Sequence, residues 1–284
     1  MVSQELGLIL GHELLDLDEL HFGMWDSGLA VSLANLPVAQ RRFTDYLLAR
    51  LPRADAGRVL DAGCGTGVLM ERLIAGGYGA DGMSPSAQLN ALARSRLEKL
   101  GGHDARIFDC RLEDAPTPQL GGRYDTVVFS ESFQFVKIDA ALGVVASLLR
   151  PGGHLVICDM FKSGRQGDGE PGDGVIRGGQ SLAKFRALAH ALHFRPVDEE
   201  DITEQVAPTI DLVAELLERR AAPAVRAVDA FLSTRHPLAW RIARCVVRGR
   251  FRGINERYFT GLYNRPTFER YKTYRFLKYR LEAA

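Results

Sequence analysis

The segment Val59–Gly67 reads VLDAGCGTG, with Gly63, Gly65 and Gly67 alternating behind an acid, Asp61. Glycines at a strand-to-helix turn permit positive φ and let a ligand approach the backbone closely. A dinucleotide site uses the related GxGxxG spacing and seats a pyrophosphate on the helix N-terminus. The spacing here is GxGxG, and an acid at that point suits a cationic ligand better than a diphosphate. A second candidate group is Ser130-Glu131-Ser132-Phe133, which follows the β-prone run YDTVVFS. A carboxylate there, in an aromatic pocket, would stabilise a developing cation and remove its proton. Phe133, Phe135, Phe22 and Trp25 would add cation–π stabilisation. The alternative is that Glu131 only braces the cofactor or a loop. A third group is basic: Arg248, Arg250 and Arg252 in RGRFRG, or Arg275 and Lys278, could hold a diphosphate or carboxylate. Tyr258, Tyr263, Tyr271 and Tyr274 could wall an apolar pocket, the plain alternative being an amphipathic surface over ordinary core aromatics.

These groups need elements to position them. Leu36–Leu51 carries apolar residues at helical spacing, and Pro52 ends the pattern. Residues 1–50 as a whole read as helices. Strands are expected at Arg58–Asp61, Tyr78–Gly82, Ala105–Phe108, Tyr124–Ser130 and His154–Asp159. Helices are expected at Gly67–Gly76, at Ser84–Leu100 with Ser84 or Ser86 as cap, and at Ile138–Leu149. Pro151-Gly152-Gly153 marks a tight turn. Alternating strands and helices predict an α/β, doubly wound parallel sheet whose strand C-termini share one edge, where a ligand crevice lies. Ser163–Gln180, dense in Gly and charge, reads as a mobile loop, either a lid or a plain linker. Leu182–His193 returns to helix and Arg195–Val206 to strand and loop. Thr209–Arg248 reads as an inserted helical cap broken by Pro223 and Pro237, and Tyr271–Leu281 as an edge strand. The expected organisation is an N-terminal helical segment over residues 1–50 closing over the cofactor, a Rossmann-like core over 51–207, and a cap plus final strand over 208–284.

The chain of 284 residues, 46% hydrophobic, can bury one large domain. It has no apolar run long enough to span a membrane, and its acidic N-terminus is unlike a signal or transit peptide. Cys64, Cys110, Cys158 and Cys245 show no metal-ligand or disulfide spacing, so no metal is expected and a cytoplasmic location fits. From Ile210 onward 16 basic residues face seven acidic ones, about +9, against about −8 for the rest. That asymmetry suits an anionic ligand, an anionic membrane surface or an acidic partner, or else a solvated basic face.

S-adenosyl-L-methionine (SAM) carries an ammonium and a sulfonium, which matches Asp61. With VLDAGCGTG at the first strand, the later blocks GMSPS, RLEDAP, YDTVVFSES and LLRPGGHLVICD make residues 58–160 resemble a class I SAM-dependent methyltransferase. HFGMW at His21–Trp25 and GMSPSAQLNALA resemble the tocopherol, cyclopropane-lipid and prenyl-diphosphate C-methyltransferase-like subgroup. The resemblance implies a seven-stranded Rossmann-like sheet with an antiparallel last strand. It implies that the N-terminal segment closes over SAM, and that Leu112 and Glu113 bracket the adenine. Relatives hold the ribose with an acid after the second strand. Here Asp81 stands early, and Ser84 or Gln88 takes that place. Asp61, Gly63, Gly65, Gly67 and Ser130 complete the implied cofactor set. The matching segment of prenyl-diphosphate C-methyltransferases carries a glutamate base, here Glu131, while Phe135 stands where relatives often have His. His21, Phe22, Trp25, Phe133, Phe135, Arg250 and Tyr274 are the candidate substrate contacts.

The resulting expectation is a methyltransferase of specialised metabolism acting on a small, largely apolar metabolite, with an anionic group as an option: an isoprenoid diphosphate, a lipid or a polyketide-like product. C-methylation with Glu131 as base is expected. O- or N-methylation on the same scaffold is the alternative, and a non-catalytic SAM-binding module is the alternative from another class. The basic tail permits a nucleic-acid substrate, but no NPPY-type or RNA-binding module accompanies it, so no nucleic acid is expected. A homo-oligomer is compatible with the sequence.

Overall fold

The apolar runs of the first half become parallel strands in the computed structural model, which describes residues 9, 11–13, 15–52, 57–238, 240–241 and 260–282. They are β1 (Arg58–Ala62), β2 (Gly79–Met83), β3 (Ile107–Phe108), β4 (Tyr124–Ser130) and β5 (Leu149–Lys162). With β6 (Gln180–Ser181), β7 (Phe194–Asp201) and β8 (Lys272–Leu281) they form an eight-stranded sheet, ordered β3-β2-β1-β4-β5-β8-β7 with β6 beside β5. Pairing is parallel except along β8, which runs antiparallel to β5 and β7.

Alternate side chains of each strand serve opposite layers, as the strand period of two requires. On one face Val127, Phe129, Leu155, Ile157 and Leu277 pack against α4 (Ile138–Leu148) and α5 (Leu182–Ala191), numbered here along the chain after three helices of the other layers. On the other face Val128, Val156, Cys158, Tyr274 and Phe276 meet Phe43, Leu47, Leu69 and Leu73. Those last four come from α1 (Leu36–Leu48) and α2 (Val68–Ala75). Between α2 and the sheet edge, α3 (Ala87–Glu98) is capped by Ser86, whose hydroxyl accepts from the Leu89 amide. The second face is completed by α6 (Pro208–Leu216) and α8 (Arg265–Tyr271), with Ile210 and Phe268 buried in it, while α7 (Ala222–Arg235) continues outward from α6 with no buried residue.

The structure corrects several expectations. The two-residue β6 makes the sheet eight strands rather than seven. The C-terminal strand is not at the edge: β8 lies between β5 and β7. Its Tyr274, Phe276 and Leu277 are fully buried, whereas β7 exposes Arg195, Pro196 and Val197. Pro196 lacks an N–H, and an outer strand tolerates that.

Residues 16–31 are not helical. Their backbone donors go to other elements instead. The Phe22 amide donates to Glu131, the Gly23 amide to Thr209 Oγ1, the Met24 amide to the Ala39 carbonyl and the Trp25 amide to the Gln205 carbonyl. Nor is the glycine-rich segment after β5 loose. Asp168 is paired with Arg270 and accepts from the Tyr271 hydroxyl, Ile176 is buried, and the Gly178 carbonyl accepts from Lys272 Nζ. Pro223 does not break the cap. The helix runs on through a π-helical turn at Leu217–Ala221, which relaxes the backbone where the missing Pro223 N–H interrupts the ladder. The Arg250 expectation, with Arg248, Arg252 and Tyr258, lies outside the described residues. Among the described residues no helix is long and apolar enough to cross a membrane, and no metal-ligand cluster occurs.

Candidate active site

The C-terminal ends of β1, β2 and β4 open into a cavity of about 710 Å³. Its floor is the glycine loop. Gly63, at φ 99°, could carry no side chain, because a Cβ there would collide with Ser132. Gly65 lines the cavity beside it. Gly67 does not line it. It turns the chain into α2 at φ 83°, where a Cβ would press on Ala93 of α3, so its glycine serves helix packing.

Asp61 ends β1 in this cavity and is 2% exposed. Among the described residues no donor is bonded to its carboxylate. Burial pushes its carboxyl up to about 7, with the charge of His21 drawing it back. Asp81 is spent elsewhere. It is fully buried and held by Arg58 Nε and Nη2 at 2.8 and 2.6 Å, by the Tyr124 hydroxyl at 2.9 Å and by the Arg106 amide at 2.9 Å. Ser84 does line the cavity, while Gln88 is exposed on α3 and does not. Leu112, Glu113 and Ser130 line it too, with Glu113 Oε1 accepting from the Lys137 amide at 2.6 Å.

Glu131 follows β4 with φ 52°, a left-handed conformation that costs a non-glycine residue roughly 1–3 kcal/mol and often marks a functional turn. Its Oε1 accepts twice, from the Phe22 amide at 2.6 Å and from the Tyr274 hydroxyl at 2.7 Å. Burial raises its proton affinity, and the charge of His21 with those two hydrogen bonds only partly offsets this. Asp159 on β5 is likewise pushed up to about 8, first by burial and then by the Glu131 charge. It holds the amide and side chain of Gln134 at the cavity wall.

His21 and Phe135 line the cavity as expected. The other aromatic candidates do not. Phe133 is fully buried among Phe129, Phe161 and Phe185 on the far side of the sheet, because the turn after Glu131 carries it under α5. Trp25 is buried against Leu17, Leu36, Ala39 and Leu212, and its Nε1 donates to Thr209 Oγ1 at 2.9 Å. Phe22 packs on Phe268 and Tyr274, and Tyr274 reaches the site only through its hydroxyl on Glu131. Sequence reasoning missed Glu19 and Thr44, which line the cavity beside His21. A signal existed: Gln40 and Thr44 are polar at i, i+4 on the buried face of α1, beside Phe43 and Leu47.

Residues 60–155 match a family described as a methyltransferase domain. Methyltransferase GfsG of Streptomyces halstedii is 30% identical over 204 residues, which cover 68% of this chain and 71% of that protein. The chain belongs to the class I SAM-dependent methyltransferases. Ubiquinone biosynthesis O-methyltransferase of Bradyrhizobium sp. (strain ORS 278) is 36% identical over 107 residues, 37% of this chain, which spans under half, 41%, of that enzyme. The fold is shared with geranyl diphosphate C-methyltransferase from Streptomyces coelicolor A3(2), solved with Mg2+, geranyl diphosphate and S-adenosyl-L-homocysteine. That match has TM-score 0.65 and 17% identity, and covers 92% of this chain and 88% of that one. SAM is accordingly the cofactor.

Proposed function

We propose that this methyltransferase acts on a small, largely apolar metabolite and methylates it at carbon, with Glu131 as the base. SAM supplies the sulfonium methyl for an in-line displacement. The residues present fit it. Asp61, a buried carboxylate to which no donor is bonded among the described residues, would offer its charge to the ammonium. Gly63 and Gly65 leave room for close approach, Ser84 would meet the ribose, and Leu112 and Glu113 would bracket the adenine.

The observation that carries the carbon reading is Glu131: a half-buried carboxylate on the cavity wall, its proton affinity raised by desolvation, held at a left-handed turn beside Phe129, Ser130 and Phe135. Both hydrogen bonds, from Phe22 and Tyr274, fall on Oε1, so the second oxygen is left for a proton from the methylated intermediate. Phe135, 46% exposed, gives the substrate side an apolar face. For an anionic isoprenoid or lipid, the described wall offers Arg111 and His21 against the acids Asp18, Glu19, Asp61, Glu113 and Glu131. The anionic option therefore leans on the Arg248–Arg252 segment.

One observation favours O-methylation instead. Glu131 already fastens Phe22 to Tyr274, which suits a brace, and the ubiquinone-pathway relative is named an O-methyltransferase. Glu131→Gln keeps an oxygen acceptor and removes the base. The test is methyl-labelled SAM with a panel of prenyl diphosphates, fatty acids and phenolics. C-methylated product, and a loss of turnover by about 10²–10⁴ in the variant, is the expected result. Near wild-type turnover by Glu131→Gln would sink the base role.

A further inference from the structure

His21 is held by hydrogen bonds whose polarity sets its protonation. Its Nδ1 lies 2.8 Å from the Phe22 carbonyl, an oxygen that can only accept, so Nδ1 carries a proton. Its Nε2 lies 3.1 Å from Thr44 Oγ1. The Thr44 hydroxyl spends its own proton on Glu19 Oε1, at 2.5 Å, so toward His21 it accepts, and Nε2 carries a proton as well. A ring that donates from both nitrogens is an imidazolium. Its counter-charge is at hand: Glu19 Oε1 is 3.7 Å from Nε2, and Glu19 is 7% exposed. Burial of the ring favours the neutral form, but the bond to Glu19 and the charge of Glu131 outweigh it and hold the imidazole above its ordinary value.

The ring shares its cavity with two further acids. Asp61 arrives from the end of β1 and Glu131 from the turn after β4. Neither is paired with an Arg or Lys among the described residues. Phe43 of α1 stacks on the other side of the ring at 4.5 Å and brings no charge, while Arg72 acts on Glu19 from behind. The remaining cation of the cavity wall, Arg111, is exposed.

We propose that Glu19, Thr44 and His21 form a charge-holding triad: Glu19 and Thr44 fix His21 as an imidazolium, and its charge draws Asp61 and Glu131 toward the carboxylate form inside a desolvated cavity. Both ring protons are committed to protein acceptors, so His21 acts through its charge, as a positioning residue. The consequence for SAM rests on reading Asp61 as the partner of the cofactor's ammonium.

Two measurements on the full chain test this. In two-bond 1H–15N spectra both His21 nitrogens should be protonated at about pH 7, above the ordinary histidine midpoint, and Glu19→Gln or Thr44→Val should turn the ring neutral. SAM dissociation constants measured by calorimetry across pH should then show His21→Gln raising the midpoint by roughly one unit, about a tenfold loss of affinity below it. Adding Asp61→Asn should abolish that difference. A neutral ring in the wild type, or an unshifted midpoint in a folded His21→Gln, overturns the triad. Failure of the wild type to bind SAM would strike the cofactor reading instead, and the spectra would still decide the triad.

Discussion

The Phe22 amide donates to Glu131 Oε1 at 2.6 Å across 109 positions of sequence. The residue proposed as the base is therefore also where the N-terminal segment is fastened to the sheet. Tyr274, from the interior strand β8, completes the joint from the other side at 2.7 Å. Closure of the cavity and basicity of Glu131 are thereby coupled through one oxygen.

Tyr274→Phe should separate these roles. It removes one of two donors from a buried carboxylate at a cost of about 1–2 kcal/mol, read as a lowered melting temperature. Losing a donor to the anion raises the proton affinity of Glu131 further. A base must be ionised to act, so the acid limb of the rate profile should move to higher pH. An unmoved limb with ordinary stability loss would show that Glu131 takes no proton in the reaction.

Asp61 makes SAM binding pH-dependent, with a determinate sign. In the free protein burial holds this carboxyl at about 7. A cationic ligand binds the carboxylate form, so its arrival lowers that value. Affinity is then full above pH about 7 and falls by about tenfold per unit as pH drops below it. Calorimetry on the wild type and Asp61→Asn checks this. The variant should bind weakly with a flat profile, and a sloping profile in the variant would assign the titration elsewhere.

The parallel core and glycine loop were legible because local chemistry alone sets them: VLDAGCGTG needs a strand before it and a helix after it wherever it occurs. Glu131 was legible for the same reason, standing at the end of an evident strand. Phe133 and Trp25 misled because aromatic type does not tell which face a turn presents, and both went into apolar packing. Residues 16–31 were read as helix together with the rest of residues 1–50, on the helical spacing of Leu36–Leu51. Their backbone bonds to Glu131, Ala39, Gln205 and Thr209 connect points far apart in sequence, which no local window contains. The placement of β8 inside the sheet is likewise a long-range choice, decided by burial of Tyr274 and Phe276 on one face and Leu277 on the other.

Asp81 should matter to folding and not to the cofactor. Arg58→Ala leaves a fully buried carboxylate without its main partner, and a loss of about 3 kcal/mol is expected in denaturant unfolding. Burial opposes ionisation of Asp81, but Arg58, the Arg106 amide and the Tyr124 hydroxyl hold its carboxyl below the ordinary range. Its stabilisation is therefore present above the unfolded value, about pH 4, and is lost as pH falls further. Arg58→Ala should flatten that acid limb of stability while leaving SAM affinity within about twofold, since a change under roughly 0.5 kcal/mol is usual for a site outside the pocket. A large loss of SAM affinity in the folded variant would return Asp81 to the cofactor site.

Thr209→Val tests whether the N-terminal segment is a wall of the SAM cavity in solution. Thr209 Oγ1 accepts from the Gly23 amide at 3.1 Å and from Trp25 Nε1 at 2.9 Å, so valine of similar shape leaves two buried donors unmet. Each costs about 1–3 kcal/mol. That strain falls on a segment held by no strand or helix of its own, its other ties including hydrogen bonds from the amides of Phe22, Met24 and Trp25 and from the side chains of Gln40, Thr44, Thr66 and Arg96. Local opening is cheaper than global unfolding, so the segment should detach while the sheet persists. In a Trp240→Phe background, Trp25 fluorescence should shift to the red and residues 16–31 should become cleavable by protease, with the main melting transition little changed. Asp18, Glu19, Leu20 and His21 all line the cavity from this segment, so SAM affinity should fall by about tenfold or more, the equivalent of at least roughly 1.4 kcal/mol. SAM should in turn restore protease protection, because a ligand that binds only the closed form pulls the equilibrium toward it. A variant whose segment opens while SAM binds as before would leave the cavity to the glycine loop alone.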